Sequence, residues 1–581
     1  MSKFYTNVSA VDSKIFHRYI EDGIKKKEVV SKYPYKMYSV SPFGTSDMFS
    51  LYGDRLDEHT FDDIKSLRNY CYKNPEAHGN SSPVQQFIVG NYTKDDICYD
   101  HSLYDVLNFD IEVWHDNGFP DPDAALYEIL SVSFDIVGKT KPFTYGLKPY
   151  TKENNAFTYK QFDSEAELLQ AFINYWNSVQ PEAYTGWNTN GGLKPFDIPY
   201  LINRIEKVLG KGKSNALSPF AAHSSNCIQT KGKTKQYSIA GVSCLDYLEL
   251  YLKYSTTKLE SNKLGFVGQH EINSGKVDFQ EYNSNLMNLY LGRYKIRGDA
   301  TKLNTKDRWC RLKTKIEDVY GVTTHTPSSV VLCDTLLEKY ENVVDNKIDN
   351  STPIGVVQRL YNDITSKVSQ DSFNIFVEYN TQDSVIVSGL DKKLGFIRLA
   401  FTIAHISASP LDDIFGTIKP WDNMIHSYLH YRGVVPPPQN FDRSGDGEGD
   451  EQYLGGYVKE PIPGRYNYPV SVDLQSLYPS IIMMLNMSPE TRVCDSDDSK
   501  STLQIVQEML DMHYDTNKAK DGGYAIAANG SMYKQDSIGV IPAIMQMLFD
   551  TRKTTKKQMK VVENEIEAIK TEIQKRGLIV L

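Results

Sequence analysis

Phe109-Asp110-Ile111-Glu112-Val113 decides how this chain folds. Side chains alternate across a strand, so Asp110 and Glu112 point to one face while Phe109, Ile111 and Val113 point to the other. Two neighbouring carboxylates on one face repel each other, and a divalent cation is the usual remedy. Pro195-Phe196-Asp197-Ile198-Pro199-Tyr200 adds a third acid at a loop-to-helix junction. It follows Tyr184-Thr185-Gly186-Trp187-Asn188 and leads into a predicted helix over 201–208. Glu378-Tyr379-Asn380-Thr381-Gln382-Asp383 places Tyr379 and Asp383 one helical turn apart, on one side of a helix. Four such acids would hold two metal ions, with the Tyr379 hydroxyl orienting a water that attacks a phosphodiester. Singly, each piece has a plainer reading: a solvated strand edge, a helix N-cap at Asp197, an ordinary helix face. The ordered set with its aromatic and glycine surroundings is much rarer.

A second stretch, Val472-Asp473-Leu474-Gln475-Ser476-Leu477-Tyr478-Pro479-Ser480-Ile481-Ile482, reads as an apolar strand ending on Asp473, a turn closed by Pro479, and a helix. The pattern suits Mg²⁺-dependent phosphoryl transfer. The carboxylate holds the metal, backbone N–H groups of the turn meet a triphosphate, and the Tyr478 ring closes a sugar pocket. Two ions roughly 3.5–4 Å apart need a second bridging carboxylate. Asp495-Ser496-Asp497-Asp498 comes too soon after Asp473, in a polar loop, to supply it.

The 581 residues are expected to form three or four domains, and 40% hydrophobic content is ample for their cores. A formal charge of −9 does not announce a nucleic-acid binder, although a basic cleft can sit on an acidic body. The seven cysteines are scattered without a Cys-x-x-Cys pair, which argues against zinc and a disulfide framework. The first twenty residues carry charges throughout and no apolar signal core. The most apolar stretch, 396–408, is interrupted by Arg398 and His405 and is too short to span a bilayer. No membrane association is expected, and the compartment is cytoplasmic by default.

Residues 1–100 alternate strand-like runs, such as Gln86-Phe87-Ile88-Val89, with turn clusters. From Leu107 to about Gly395 the pattern is strand, strand, helix, with helical periodicity over 165–177 in Leu168, Leu169, Phe172, Ile173 and Trp176. Residues 288–370 form a polar stretch that reads as an insertion. The Gly/Asp-rich 439–451 reads as a linker, and 543–576 as one long charged helix. The fold class is mixed α/β and multidomain.

The three acidic segments, in this order and upstream of Asp-Leu-Gln-Ser-Leu-Tyr-Pro-Ser-Ile, resemble the Exo I, Exo II, Exo III and motif A signatures of family B DNA polymerases, most closely those of T4-type tailed phages. Phe119-Pro120-Asp121-Pro122, Gly241-Val242-Ser243-Cys244-Leu245-Asp246-Tyr247, Gly268-Gln269-His270-Glu271, Val458-Lys459-Glu460-Pro461-Ile462-Pro463 and Met487-Ser488-Pro489-Glu490-Thr491 support the subgroup. The resemblance implies DNA polymerisation with 3′-to-5′ proofreading. Asp110, Glu112, Asp197 and Asp383 then resemble the exonuclease metal acids, Tyr379 its water-orienting tyrosine, and Asp473 the first polymerase metal aspartate. Leu474, Ser476, Leu477 and Tyr478 resemble the triphosphate-contacting turn, with Tyr478 excluding a ribose 2′-OH, and Arg552 resembles a phosphate-binding cation of the fingers. Tyr453, Gly455 and Gly456 resemble a DNA-contacting Tyr-x-Gly-Gly element. Lys231 and Lys233 sit at the tip of a predicted hairpin over 228–239, resembling one that parts primer from template; a basic surface turn is the plainer alternative.

Implied with this are Mg²⁺, two per site with Mn²⁺ as substitute, primer–template and single-stranded DNA, dNTPs, and a sliding clamp as a candidate partner. The implied domains are an N-terminal domain over 1–100 and a ribonuclease H-like exonuclease domain over 101–398. A return to the N-terminal domain with a linker follows over 399–446, then a first part of the palm over 447–538 and the start of the fingers over 539–581. Exo II departs from the family by the extension Thr189 to Pro195. The family's Asp-Thr-Asp and Lys-x-x-x-Asn-Ser-x-Tyr-Gly motifs are absent from these residues. The expectation is therefore a chain whose polymerase site is completed by a separate C-terminal chain. A free-standing 3′-to-5′ exonuclease and an inactive DNA- or clamp-binding remnant are the alternatives.

Overall fold

A computed structural model of the chain describes residues 3–92, 99–113, 119–192, 194–231, 236–277, 353–438, 460–472, 476–494 and 500–576. The chain divides into two compact units, Met1–Ser31 with Lys94–Thr417, and Lys32–Thr93 with Ile418–Leu581. The first residues pack with the unit that carries the acids, for reasons visible at Arg18 below.

The first unit opens with a meander, β1 (Lys3–Val11), β2 (Lys14–Glu21) and β3 (Ile24–Val30). Val11 pairs with Lys14 and Glu21 with Ile24, leaving the two-residue loops Asp12-Ser13 and Asp22-Gly23. All four loop residues have positive φ, the conformation that matches strand twist in tight hairpins. Arg18 of β2 is buried. It donates to the carbonyls of Pro181 and Gly241 at 2.6 and 2.7 Å and pairs with Glu182 at 3.0 Å. A buried guanidinium needs partners of this kind, and here they tie the meander to the next sheet.

That sheet contains β4 (Val106–Val113), β5 (Ile129–Ile136), β6 (Phe143–Gly146), β7 (Thr158–Gln161), β8 (Ala183–Thr185) and β11 (Ser243–Cys244), in the order β7-β6-β5-β4-β8-β11. The antiparallel hairpin of β9 (Ile228–Lys231) and β10 (Gln236–Ile239) lies between β8 and β11 in sequence. β4 runs antiparallel to β5 and parallel to β8. One face is apolar: Leu107, Phe109, Ile111 and Phe134 join one core with Phe172 and Trp176 of helix α1 (Glu165–Val179) and Ile198 and Leu201 of helix α2 (Asp197–Val208). The α1 helix starts on Ser164, whose side chain accepts from the Glu167 N–H, and its expected apolar stripe is buried. Helices α3 (Tyr247–Tyr254), α4 (Leu264–Ile272), α5 (Pro353–Leu394) and α6 (Phe396–Ile406) follow. The opposite sheet face is polar yet buried, because α5 covers Ser131, Ser133 and Asp135. No helix among the described residues is long and apolar enough to cross a membrane.

In the second unit, strands Tyr35–Val40 and Leu56–Phe61 pair antiparallel. The run Gln86–Val89, read above as a strand, lies in the helix Pro83–Asn91. Ser82 caps it and Pro83 sits at its first position, and this start signal outweighs the β-branched residues. The helix Leu477–Leu485 ends on Asn486 in the left-handed region. Asn486 and the following segment then build the start of the helix Val540–Lys575. Asn486 Oδ1 accepts from the Gly539 N–H at 2.8 Å, Glu490 from Val540 at 2.5 Å and the Ser488 hydroxyl from Ile541 at 3.3 Å. Three of the helix's otherwise unpaired N-terminal donors are thus met. The expected strand leading to Asp473 is not formed over the described 460–472, where Val470 and Val472 are exposed and no described strand lies alongside. A lone strand leaves its backbone groups unpaired, so pattern alone does not hold it. The 439–451 segment, most of 288–370, and Asp495–Asp498 lie outside the described residues.

Candidate active site

The period-two reading of β4 holds: Asp110 stands opposite Ser133 and Glu112 opposite Ser131, both on the α5 side of the sheet. The α5 helix brings Asp383 to them, and one oxygen from each of Asp110, Glu112 and Asp383 lies within 4.8 Å of the others. Five consecutive residues of α5 are engaged. Tyr379 Oη accepts from Lys276 Nζ at 3.0 Å, and Asn380 Nδ2 donates to Asp110 Oδ2 at 2.7 Å. The Thr381 hydroxyl meets that of Thr144 at 2.6 Å. Gln382 Nε2 donates to the Ser274 hydroxyl at 2.9 Å and the Gly275 carbonyl at 3.1 Å, and Asp383 Oδ2 pairs with Lys276. The loop carrying Lys276 is thus held by the same helix that carries its partners. Close approach of α4 to it requires Gly268, where a Cβ would stand 2.5 Å from the Ser274 carbonyl oxygen.

Asp197 is the first residue of α2 and is buried, with Phe196 rather than Asp197 at the cap position. Its oxygens do not join the group of three. The Exo II extension is closed by a device that the sequence reading missed. Buried Asp246 accepts N–H bonds from Asn188 at 3.2 Å, Asn190 at 3.1 Å and Gly191 at 2.9 Å while capping α3 through Leu248 at 3.0 Å. Glu249 takes the Gly192 N–H at 2.6 Å, and the Ile198 N–H reaches the Thr189 carbonyl at 3.0 Å. The extension therefore folds back against α3, and α2 still begins at Asp197.

Burial, then the charge of Asp383, pushes the Asp110 carboxyl up to about 8, against the pull of Lys276 and Asn380. Burial with Asp110 and Asp383 holds Glu112 well above the ordinary range, and burial with Asp110, Asp246 and Glu112 does the same for Asp197. Burial also raises Asp383, although Lys276 opposes it. Burial works against the Lys276 ammonium, but Asp383 and Tyr379 outweigh it and keep it charged. Tyr379 is pushed up to about 12, by burial first and by Glu112 and Asp383 next. Crowded, partly desolvated acids are an arrangement that a cation would relieve. Asp383 Oδ1 is buried without a hydrogen-bond partner, and the donor set is all oxygen. Both features fit a hard divalent cation.

Lys276 was not legible beforehand, because Ser274-Gly275-Lys276 matches no motif and meets Asp383 only through the fold. Of the second constellation, Ser476 has a left-handed backbone, Leu477 and Tyr478 open the helix Leu477–Leu485 with exposed side chains, and Arg552 is exposed on Val540–Lys575. Asp473, Leu474, Tyr453, Gly455, Gly456 and Lys233 lie outside the described residues, and Lys231 ends β9.

Two family models match: "DNA polymerase family B, exonuclease domain" over residues 84–267, which contain Asp110, Glu112 and Asp197, and "DNA polymerase family B" over 421–580. The DNA-directed DNA polymerase of Escherichia phage RB69 is 25% identical over 609 residues, covering 100% of this chain and 56% of its own length. That of Enterobacteria phage T4 is 28% identical, covering 99% of this chain and 56% of its own length. The DNA polymerase catalytic subunit of Human herpesvirus 7 (strain JI) is 24% identical over 80% of this chain and 38% of its own. The chain thus spans about half the length of the phage relatives it matches. Each phage relative carries its full length on one chain, which gives the expected separate C-terminal chain no support. A mixed α/β multidomain chain with an acidic centre on its central sheet, matched by both models, belongs to the family B DNA polymerases, with the family's exonuclease and polymerase domains represented in one sequence.

Proposed function

We propose that the unit built on the central sheet removes nucleotides from DNA 3′ ends, as the editing half of a DNA-directed DNA polymerase. The observation that carries this reading is the convergence of Asp110, Glu112 and Asp383 within 4.8 Å beside the Tyr379 hydroxyl. Asp110, Glu112, Asp197 and Asp383 would hold two divalent ions, Mg²⁺ with Mn²⁺ as substitute. When bound, such ions lower the pKa of water and neutralise phosphate charge.

The chain's own groups do the rest. Lys276 donates to Tyr379 Oη, so the phenol keeps its own proton directed elsewhere and can orient an attacking water. With its pKa pushed up to about 12, Tyr379 stays protonated near neutral pH and positions the water rather than deprotonating it. Lys276, charged and partly exposed beside Asp383 and Tyr379, would add a cation to the site that a phosphate could use.

Asp110→Ala with Glu112→Ala should abolish 3′ degradation of single-stranded DNA in Mg²⁺ or Mn²⁺. Undiminished digestion by the double variant would put the nuclease elsewhere. Tyr379→Phe should slow hydrolysis more than it weakens DNA binding.

For the polymerase domain, Asp473 is read as a metal ligand and Leu474 to Tyr478 as the triphosphate-contacting turn. Arg552 is read as a phosphate-binding cation and Tyr478 as the ring that excludes a 2′-OH, with dNTPs and primer–template DNA as substrates in the cytoplasm of a host cell. The exposed position of Tyr478 at the start of its helix supports a side chain available to a ligand. In a polymerising preparation, Tyr478→Ala should admit ribonucleotides, and unchanged discrimination would move the gate to another residue.

A further inference from the structure

Asn380 lies between the two signature residues of its segment, fully buried, and belongs to neither the acid set nor the water-orienting pair. Its side chain has two different ends, and each is met. Nδ2 donates to Asp110 Oδ2 at 2.7 Å, while the Ser131 hydroxyl donates to Oδ1 at 2.7 Å. The Ser133 hydroxyl donates to its backbone carbonyl at 2.8 Å, which fixes the main chain of α5 at the same point. Ser131 and Ser133 stand directly opposite Glu112 and Asp110 across the β4–β5 ladder, so the strand pairing that carries the acids also carries the groups that hold Asn380.

A flipped amide would turn Oδ1 toward the Asp110 carboxylate, acceptor against anion, and lose the hydroxyl donated to Oδ1. One amide orientation therefore satisfies both neighbours once Asp110 is ionised. Without that tether, Asp110 has every reason to rotate away, because Glu112 and Asp383 crowd it within 4.8 Å and a carboxylate relieves like-charge contact by turning. Asn380 takes one oxygen of Asp110 and leaves the other for a cation. Lys276 treats Asp383 in the same way, holding Oδ2 while Oδ1 stays unpartnered.

We propose that Asn380 is a positioning residue for the Asp110 carboxylate, held in its working orientation by the Ser131 hydroxyl, and that this pair presets the metal-binding geometry of the site. The inference rests on the nuclease reading above and deepens it. Groups that orient metal ligands typically change metal affinity by about 10–100-fold when removed.

The test titrates Mn²⁺ into the full chain without DNA, following free Mn²⁺ by electron paramagnetic resonance, and measures 3′ hydrolysis against Mn²⁺ concentration. Asn380→Ala should weaken Mn²⁺ binding at least about tenfold, and hydrolysis should recover toward the native rate at saturating Mn²⁺, with KM for DNA little changed. Ser131→Ala, which removes one oxygen remote from substrate, should produce the same shift to a smaller degree. It serves as the deciding variant should Asn380→Ala melt early by circular dichroism. Native Mn²⁺ affinity in Ser131→Ala and in a folded Asn380→Ala would overturn the proposal. So would lost hydrolysis that saturating Mn²⁺ fails to restore. Asp110→Asn separates the two levels. If it too binds Mn²⁺ and digests DNA as the native chain does, the nuclease reading falls; if it loses both while the Asn380 and Ser131 variants do not, only the positioning role falls.

Discussion

Replacing Asp246 with alanine should unfasten the Exo II segment before it touches any metal ligand. The carboxylate takes four backbone donors at once, three from Asn188, Asn190 and Gly191 and one from Leu248 at the start of α3. The Asn190 and Gly191 bonds are buried, so water cannot replace the lost acceptor there. Each stranded donor costs about 1–3 kcal/mol. Loss of the α3 cap adds about 1 kcal/mol. The other donors are partly exposed and recover some solvation, and Asp197 gains a little from losing a nearby like charge. The net is on the order of 3–7 kcal/mol, a large fraction of the roughly 5–15 kcal/mol that holds a typical domain together. The chain has two compact units, so a single unfolding free energy is not the right readout. Amide hydrogen exchange of residues 188–198 is, because it reports local opening. The expected result is fast exchange at 190 and 191, a lower melting temperature for the unit containing the acids, and hydrolysis lost in step with the opening. Native protection at 190 and 191 in Asp246→Ala would refute the clamp.

Lys276→Met keeps the stem and removes the charge facing Asp383 and Tyr379. Hydrolysis of single-stranded DNA should fall by about 10–100-fold, and the melting temperature should fall as well, because the buried Asp383 carboxylate loses its ion-pair partner. Gly186→Ala places a Cβ 2.7 Å from the Phe109 carbonyl oxygen, one residue from Asp110; the strands must part, and both thermal stability and nuclease rate should drop. His405 is buried, shares a 2.6 Å hydrogen bond with the Tyr104 hydroxyl, and has its pKa lowered to about 3 by burial. The unfolded chain takes up that proton near pH 6.5 and the folded chain does not. The contribution of His405 to stability is therefore whole above about 6.5 and declines as pH falls toward 3, by about 1.4 kcal/mol per unit at most. The raised site acids contribute the opposite slope, so the His405 term is read as a difference: in melting curves, His405→Asn should lose less stability than the native chain as pH falls through that window.

The alternation of β4 was legible because a period of two is a local property and forces Asp110 and Glu112 to one face. The apolar stripe of α1 was legible for the same reason at a period near 3.6. Ser131, Ser133 and Asp135 alternate just as clearly, but a polar strand face reads as solvent-exposed until its cover is known, and α5 arrives from far along the chain. Lys276 and Asp246 escaped because their partners are set by tertiary contact, not by spacing. The Gln86–Val89 run misled in the opposite direction: composition suggested a strand while Ser82 and Pro83 were already announcing a helix. The Asp22-Gly23 pair was an unused hairpin signal of the same local kind.

The turn from Tyr379 to Asp383 has no idle side. Successive residues advance about 100° around a helix, so five in a row sweep more than a full circle, and every one of these five is engaged. Helices usually keep a solvent-facing arc where substitutions drift and small slips are absorbed; this one has lost that arc. Upstream on the same helix, Phe373, Phe376 and Val377 are buried with Leu130 and Phe157, so the anchor and the functional turn share one rotational phase. Adding or deleting one residue between them would leave composition and helicity intact yet swing the turn by about 100° relative to its anchor, exchanging the duties of all five residues at once. The segment should therefore tolerate changes of length ahead of the helix far more readily than any change of length within it.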